Sequence, residues 1–213
     1  MTITIRAARE EDAPFLAWAA LTSTRSHLAM GWFDIVLARP EAECLAFLRQ
    51  LACTPTRSWC HFSRAVILEA EGRPAAALAA FSAQETWPLS ERGLAEVSES
   101  SSISEDEQKA MSARGAYLFA CIMGGDGDYW TIENVATWPG YRGRDFAPRL
   151  VEHALEAGRK RGYDEAQLTL LIGNDAAERA YAKLGFSVVE EKRHPDFEAA
   201  TGAPGMQRML AKL

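Results

Sequence analysis

Three arginines and two glycines crowd into one stretch of the chain, Trp138-Pro139-Gly140-Tyr141-Arg142-Gly143-Arg144-Asp145-Phe146-Ala147-Pro148-Arg149. A strand-like run, Tyr129 to Thr137, leads into it, and a helical pattern starts near Phe146. Strand, loop, helix is the geometry in which the unpaired N–H groups of a helix's first turn, at the positive end of its dipole, receive a phosphate. Arg142, Arg144 and Arg149 add forked donors for phosphate oxygens. A Gly- and Arg-rich loop also serves as a plain tight connection with solvated arginines, so the loop alone leaves both readings open. The loop carries neither G-x-x-x-x-G-K-[ST] nor G-x-G-x-x-G, which disfavours a nucleotide-binding doubly wound fold.

A second segment follows about thirty residues later, directly after another strand-like run: Asn174-Asp175-Ala176-Ala177-Glu178-Arg179-Ala180-Tyr181-Ala182-Lys183-Leu184-Gly185-Phe186. Loop and segment together resemble the GNAT superfamily of N-acetyltransferases, whose coenzyme A site combines an Arg/Gln-x-x-Gly-x-Gly/Ala loop with a later Asn-x-x-Ala-x-x-x-Tyr-x-x-x-Gly-Phe segment. Every stated position of the second motif is matched, and the resemblance is specific from about Tyr129 to Val189. It implies an enzyme that moves the acetyl group of acetyl-CoA directly to a primary amine of a small molecule or peptide, without a metal. An acyl-CoA-binding module with little or no turnover is the alternative. The implied fold is a mixed, largely antiparallel central sheet flanked by helices, with a V-shaped splay between central strands. Its order is β-α-α-β-β-(insertion)-β-α-β-α-β-β, over one domain spanning residues 1–213.

Laid on this chain, the resemblance implies that N–H groups of Arg142, Gly143, Arg144, Asp145, Phe146 and Ala147 hold the coenzyme pyrophosphate. The strand edge at Val135, Ala136 and Thr137 pairs with the pantetheine amides, and Asn174 and Ala177 face the coenzyme from the following helix. Tyr181 aims its hydroxyl at the sulfur; a phenol of ordinary pKa near 10 is still protonated at neutral pH and can donate to the leaving thiolate. The attacking amine must lose a proton, and Glu133, on the strand running into the loop, is the candidate base, acting through a water. Each residue also has a structural explanation. Strand alternation can turn Glu133 to solvent or an arginine, Asn174 can be a plain helix cap with Asp175 and Glu178 suggesting a capping box, and Tyr181 can be a half-buried core aromatic. In one place the chain departs from the family pattern. Asp145 stands where the motif has its first glycine, bringing a like charge beside an anion, either as an N-cap that takes the Ala147 N–H or as a partner for Arg142 or Arg144.

The rest of the chain must position these groups. The 213 residues, 48% hydrophobic and 24% charged, suffice for one well-packed domain. A net charge of −6 argues against a nucleic-acid binder. No apolar run approaches a membrane span, and the start, Met1-Thr2-Ile3-Thr4-Ile5-Arg6, alternates like a strand rather than a leader peptide. The four cysteines and four histidines show no zinc spacing, so a cytoplasmic, metal-free protein is expected. Periodicity predicts strands at 2–7, 64–70, 74–82, 129–137, 166–171, 187–191 and 205–211, with Glu71-Gly72 as a hairpin turn. It predicts helices from Pro14, over 40–51, 146–161 and 174–183. Residues 86–115 read as a Ser- and acid-rich insertion, solvated and mobile, with one helix near 105–113; whether 116–123 is helix or strand stays open. Gly124-Gly125-Asp126-Gly127-Asp128 reads as a breaker. The acceptor pocket is expected among Trp18, His27, Trp32, Phe33 and Trp87, with the acids Glu105, Asp106 and Glu107 favouring a cationic amine. Pairing of two copies through sheet edges, frequent in the family, is a further expectation.

Overall fold

The structure is a computed structural model that describes residues 1–123 and 127–213. Its elements run β1 (Ile3–Ala7), α1 (Ala13–Arg25), α2 (Trp32–Leu37), α3 (Glu41–Leu51), β2 (Ala65–Ala70), β3 (Arg73–Ser82), α4 (Ala83–Thr86), α5 (Ser90–Ser100), α6 (Glu105–Cys121), β4 (Trp130–Thr137), α7 (Phe146–Lys160), β5 (Glu165–Leu171), α8 (Asp175–Ala182), β6 (Ser187–Arg193), α9 (Pro195–Thr201) and β7 (Gly205–Lys212). One seven-stranded sheet has the order β1-β2-β3-β4-β5-β7-β6, antiparallel at every pairing except β4 with β5. The β2–β3 turn has positive φ at Glu71 (52°) and Gly72 (73°), the mirror-image turn that matches strand twist.

The predicted strands and helices occur where the periodicity puts them, within a residue or two. Two short helices, α2 and α9, escaped the pattern because six or seven residues give too few turns for a periodic signal. The insertion differs more. Instead of one helix in a mobile excursion, it forms α5 and α6, and α6 continues through the ambiguous 116–121 to Cys121. Val97 of α5 and Cys121 of α6 are fully buried, and Ser104 caps α6 by accepting from the Glu107 N–H. The acids that suggested solvation instead sit in the first turn of α6, where the helix dipole favours them, and Glu107 pairs with Arg114 at 2.7 Å. The expected breaker falls mostly on residues 124–126, outside the described residues.

The sheet is packed on both faces. Leu68, Leu78, Ile132, Leu168 and Met209 meet Phe146, Leu150, Val151 and Ala154 of α7. Leu16 and Ala19 of α1, and Phe47 and Leu48 of α3, cover Ala65, Ile67, Ala77, Ala79, Phe81 and Ala136 on the other. The alanines that weakened β3 as a strand by propensity are buried on both faces, Ala77 and Ala79 under α1 and Ala75 and Ala76 under α7.

Two irregularities shape the centre. Parallel β4 and β5 pair only at Trp130 with Ala166 and Thr131 with Gln167, and then diverge. The side chains of Gln167 and Thr131 bond across this last rung at 2.8 Å. Beyond it, β4 runs from Ile132 to Thr137 without a partner on its β5 side, which is the V-shaped splay. On its other side β4 carries a bulge: Ala77 stands opposite Ala136 and Ala79 opposite Glu133, so Asn134 and Val135 together face Leu78. Asn134 supplies the positive φ (54°) that the bulge needs, and its side-chain Oδ1 accepts from Ser23 Oγ of α1 at 3.2 Å. Asn is among the few side chains that tolerate this conformation. Asn134→Ala is therefore expected to cost about 1–2 kcal/mol in urea unfolding, from the strained φ and the lost bond, and Asn134→Gly less, because glycine relieves the backbone.

Candidate active site

The Gly- and Arg-rich loop ends β4 and opens α7. Trp138 donates its N–H to the Ala75 carbonyl at 2.8 Å, anchoring the loop's start, and Arg142 donates its own to Pro139 at 3.3 Å. From there on the backbone turns outward, with φ of 74° at Gly143 and 57° at Asp145. Among the described residues, no group accepts from the N–H of Gly143, Arg144, Asp145, Phe146 or Ala147; Arg149 is the next whose N–H is bonded, to Asp145 at 3.2 Å. A run of five donors without an internal partner at the start of a long helix is backbone geometry suited to an anion. Arg142, Arg144 and Arg149 are exposed and none forms an ion pair among the described residues, while Arg144 lies 5.8 Å over the Tyr141 ring.

The structure gives a reason for a glycine at position 145 and shows how aspartate fills it. The residue is the N-cap of α7 in the left-handed region, and its carboxylate neither caps the helix nor reaches Arg142 or Arg144. Both routes expected to occupy this carboxylate are thus corrected: it is exposed and unpaired, and the Ala147 N–H stays free. Asp, like Asn, tolerates positive φ better than most residues, so the turn survives the substitution.

Asn174 is where the second motif begins, and here the structural role is plain. Its Oδ1 accepts from the Ala177 N–H at 3.2 Å, and its Nδ2 donates to Ser26 Oγ at 2.7 Å. The suggested capping box does not form, because Asn174 rather than Asp175 is the N-cap and Ala177 stands at its third helical position; Glu178 accepts from Gln207 Nε2 at 2.8 Å. Asn174 thereby ties α8 to the end of α1, across the mouth of the splay. Ser26 occupies a strained backbone position (φ 57°, ψ −117°), and its hydroxyl lies 3.3 Å from His27 Nδ1.

Tyr181 and Glu133 approach the splay from opposite faces of the sheet. Tyr181 packs edge-on against Phe186, ring centroids 6.1 Å apart, and shares the α7-side cluster with Val135, Tyr141 and Ala177. The fold thus brings residues of β4, the loop and α8 against the same core cluster as Tyr181. Its hydroxyl has no hydrogen-bond partner among the described residues, and burial pushes its pKa up to about 12. Glu133 points to the α1 face. It forms no ion pair or hydrogen bond among the described residues, and loss of hydration alone raises its carboxyl to about 8. The residue is half-buried, and no arginine pairs with it among the described residues. Nearby Cys60 is a buried thiol held well above its ordinary pKa by desolvation first and by Glu133 second.

Sequence patterning missed Asn134, Ser23 and Ser26. The signal for Asn134 is an Asn inside Ile-Glu-Asn-Val, a run of otherwise good strand formers, which is a position for positive φ. Of the aromatics expected in an acceptor pocket, Phe33 is core, stacked on Trp32, and Trp87 packs on Phe81 and Trp59. Trp18 is nearer the site, 4.7 Å from exposed Trp138 at the end of β4.

Residues 37–186, most of the chain, match the acetyltransferase (GNAT) family. The chain belongs to that family. Among solved structures, an acetyltransferase aligns with TM-score 0.70 at 19% identity, covering 98% of both chains. An N-acetyltransferase from Staphylococcus aureus Mu50 aligns at 0.68 and 19% identity, over 98% of this chain and 100% of that one. The Drosophila melanogaster polyamine N-acetyltransferase aligns at 0.57 and 16% identity over the full length of both. A comparison with curated proteins finds no match. At these identities the likeness is one of fold. Among the described residues no group of His, Cys, Asp and Glu could hold a metal, and no helix is long and apolar enough to cross a membrane.

The raised carboxyl of Glu133 has a measurable consequence. A folded-state pKa near 8 against an ordinary value of 4.5 means that the folded protein binds the proton more tightly than the unfolded chain does. This group's contribution to stability is therefore fully present at pH 4 and lost progressively as pH rises through 8. Chemical denaturation at a series of pH values should show that decline in the parent and lose it in Glu133→Gln.

Proposed function

We propose that this protein transfers the acetyl group of acetyl-CoA directly to a primary amine of a small molecule or peptide. The observation that carries the proposal is the row of five free N–H groups from Gly143 to Ala147, placed where β4 leaves the splay. These donors, with Arg142, Arg144 and Arg149 around them, take the pyrophosphate. The unpaired edge of β4 at Val135, Ala136 and Thr137 receives the pantetheine amides as an added strand would, bringing the thioester to the point where β4 and β5 part. Asn174, whose cap orients the first turn of α8, and Ala177 form the opposite wall.

The chemistry then divides between two groups whose burial has the same cause and opposite use. The amine attacks from the α1 side, and its proton passes through a water to Glu133, whose pKa of about 8 makes its carboxylate a better base than an exposed one. The tetrahedral centre collapses, the C–S bond breaks, and Tyr181 delivers its proton to the leaving thiolate; a phenol held near 12 is fully protonated at working pH. The amide product and free coenzyme leave, and Tyr181 recovers its proton from Glu133 through solvent. The reducing cytoplasm suits the reaction, since Cys44, Cys53, Cys60 and Cys121 are all free thiols. Acyl-CoA binding without turnover is the second reading, favoured by one observation: the unpaired Asp145 carboxylate beside the anion receptor.

Thiol release from acetyl-CoA with a panel of primary amines decides between the two, binding without release supporting the second. In the enzyme, Tyr181→Phe should lower kcat by about a hundredfold while leaving acetyl-CoA affinity nearly unchanged. The rate should rise with pH up to about 8 and then level, and Glu133→Gln should flatten that rise. Asp145→Gly removes a like charge next to the pyrophosphate, worth about 1 kcal/mol at contact distance in water, so calorimetry should show acetyl-CoA binding about fivefold tighter.

A further inference from the structure

At the far end of β4 from the loop lies a second cleft, of about 290 Å³. Its walls come from the residues just before β2, the end of β3, α4, the first residue of β4 and the chain just after α7. Trp130 in this cleft and Thr137 at the loop are separated by the length of the strand, roughly 24 Å at the extended rise per residue. The cleft is therefore separate from the splay.

Its walls carry charges of both signs that do not meet. Arg64 and Arg161 line it, and so does Glu85, yet none of the three forms an ion pair among the described residues. Arg64 keeps its Nε buried with no hydrogen-bond partner, and one terminal nitrogen only grazes the Arg57 carbonyl at 3.4 Å. The Nε is closed to solvent, so an acceptor in the cleft meets this side chain through its terminal nitrogens, which have no strong partner of their own among the described residues. The other guanidinium is held flat: Arg161 lies 5.0 Å over the Trp130 ring, and Trp130 is itself fixed by its Nε1 bond to the Ala154 carbonyl at 2.8 Å. Tyr163 packs on the same indole at 5.3 Å and brings its hydroxyl to the wall. Across the cleft, buried Ser82 accepts the Glu85 N–H and so sets the base of the Glu85 side chain. The floor of the cleft is thus built on packed residues, Ser82 and Trp130, with Arg161 and Glu85 exposed at its rim.

We propose that this cleft binds a small zwitterion of amino-acid size, its carboxylate held by Arg64 and Arg161 and its ammonium by Glu85. Two cations and one anion that leave one another unpaired are satisfied together by a ligand carrying the opposite pair, and planar guanidinium groups suit a carboxylate. The volume stands at the lower end of small-molecule pockets, enough for an amino acid and too little for a nucleotide. Glu85 would repel a dianion such as phosphate.

Calorimetry on the full chain tests this with glycine, alanine, serine and aspartate, alongside N-acetylglycine, which lacks the ammonium, ethanolamine, which lacks the carboxylate, and inorganic phosphate. The expected result is saturable binding of at least one amino acid, weakened about tenfold or more by Arg64→Gln and by Arg161→Gln. Glu85→Gln should erase the preference for the amino acid over N-acetylglycine. Because an amino acid could also enter the splay as an acceptor amine, the same titrations on Glu133→Gln and Tyr181→Phe should leave binding intact; loss there would place the ligand in the splay and overturn the proposal. Absence of saturable binding by any of the amino acids, binding indifferent to both arginine substitutions, or phosphate binding as tightly as the amino acids would each overturn it as well. Arg64 and Arg161 have no part in acetyl transfer, so both variants should retain thiol release if the chain is active, which keeps failure here distinct from failure of the proposed reaction.

Discussion

A sheet gains most when every strand pairs along its length, and this one gives that up at its centre. β4 and β5 share only two rungs before they part, leaving six residues of β4 with a free edge inside the molecule. Unpaired backbone groups away from water are expensive, so the opening has to be held from outside. On one face, α1 crosses it and bonds both lips, Ser23 to Asn134 on β4 and Ser26 to Asn174 beyond β5. On the other face, α7 packs its buried stripe, Phe146 and Leu150 among it, under β3, β4 and β5. Below, the Gln167–Thr131 bond locks the last rung. The bulge at Asn134 turns β4 just above that rung, so divergence begins at a defined residue. Access to the free edge, the receptor at the loop and the exposure of Glu133 to the gap all follow from this arrangement.

Charge is arranged with the same local logic. The net figure of −6 describes the chain but not the site, because acids gather in residues 88–108 while the loop from Trp138 to Leu150 carries three arginines against one aspartate. Most of the acidic excess has structural work: Glu107 pairs with Arg114, Glu96 bonds Thr56 through both N–H and hydroxyl, and the first turn of α6 draws on its dipole. That removes the ground for inferring a cationic acceptor from the acids alone. At the loop the arginines have no such internal partner, and the excess positive potential is left for an anion.

The parts of the molecule legible in the sequence are those in which residue type and local geometry determine each other. A strand, a Gly-Arg loop and a helix with apolar residues at helical spacing fix the anion receptor, and Asn174 to Phe186 fixes α8, since capping, core contact and turn each require a particular residue there. The insertion was illegible for the converse reason. α5 buries few large side chains, so its sequence looks solvated, and its order comes from contacts with α3 that no local pattern records. Asn134 and Ser26 belong to a third class. Their roles depend on partners 111 and 148 residues away, and only the fold reveals that a single serine-rich helix end spans both lips of the splay.

Burial raises the pKa of both Tyr181 and Glu133, yet it equips them for opposite tasks. Desolvation opposes whichever form is charged. For both groups that is the deprotonated form, so the phenol is driven further from neutral pH and stays protonated there, whereas the carboxyl is drawn toward it and exchanges its proton near neutral pH. No ion pair is needed to make this difference, and none is present among the described residues for either group. The starting values, near 10 and near 4.5, decide the outcome. A single physical cause, loss of hydration beside the splay, therefore leaves a protonated phenol on one face of the sheet and a carboxyl that titrates near neutral pH on the other. An arginine beside Glu133 would undo it by holding the carboxyl ionised and weakly basic. The absence of a paired cation beside Glu133 among the described residues is thus what the proposed chemistry asks of this face of the sheet.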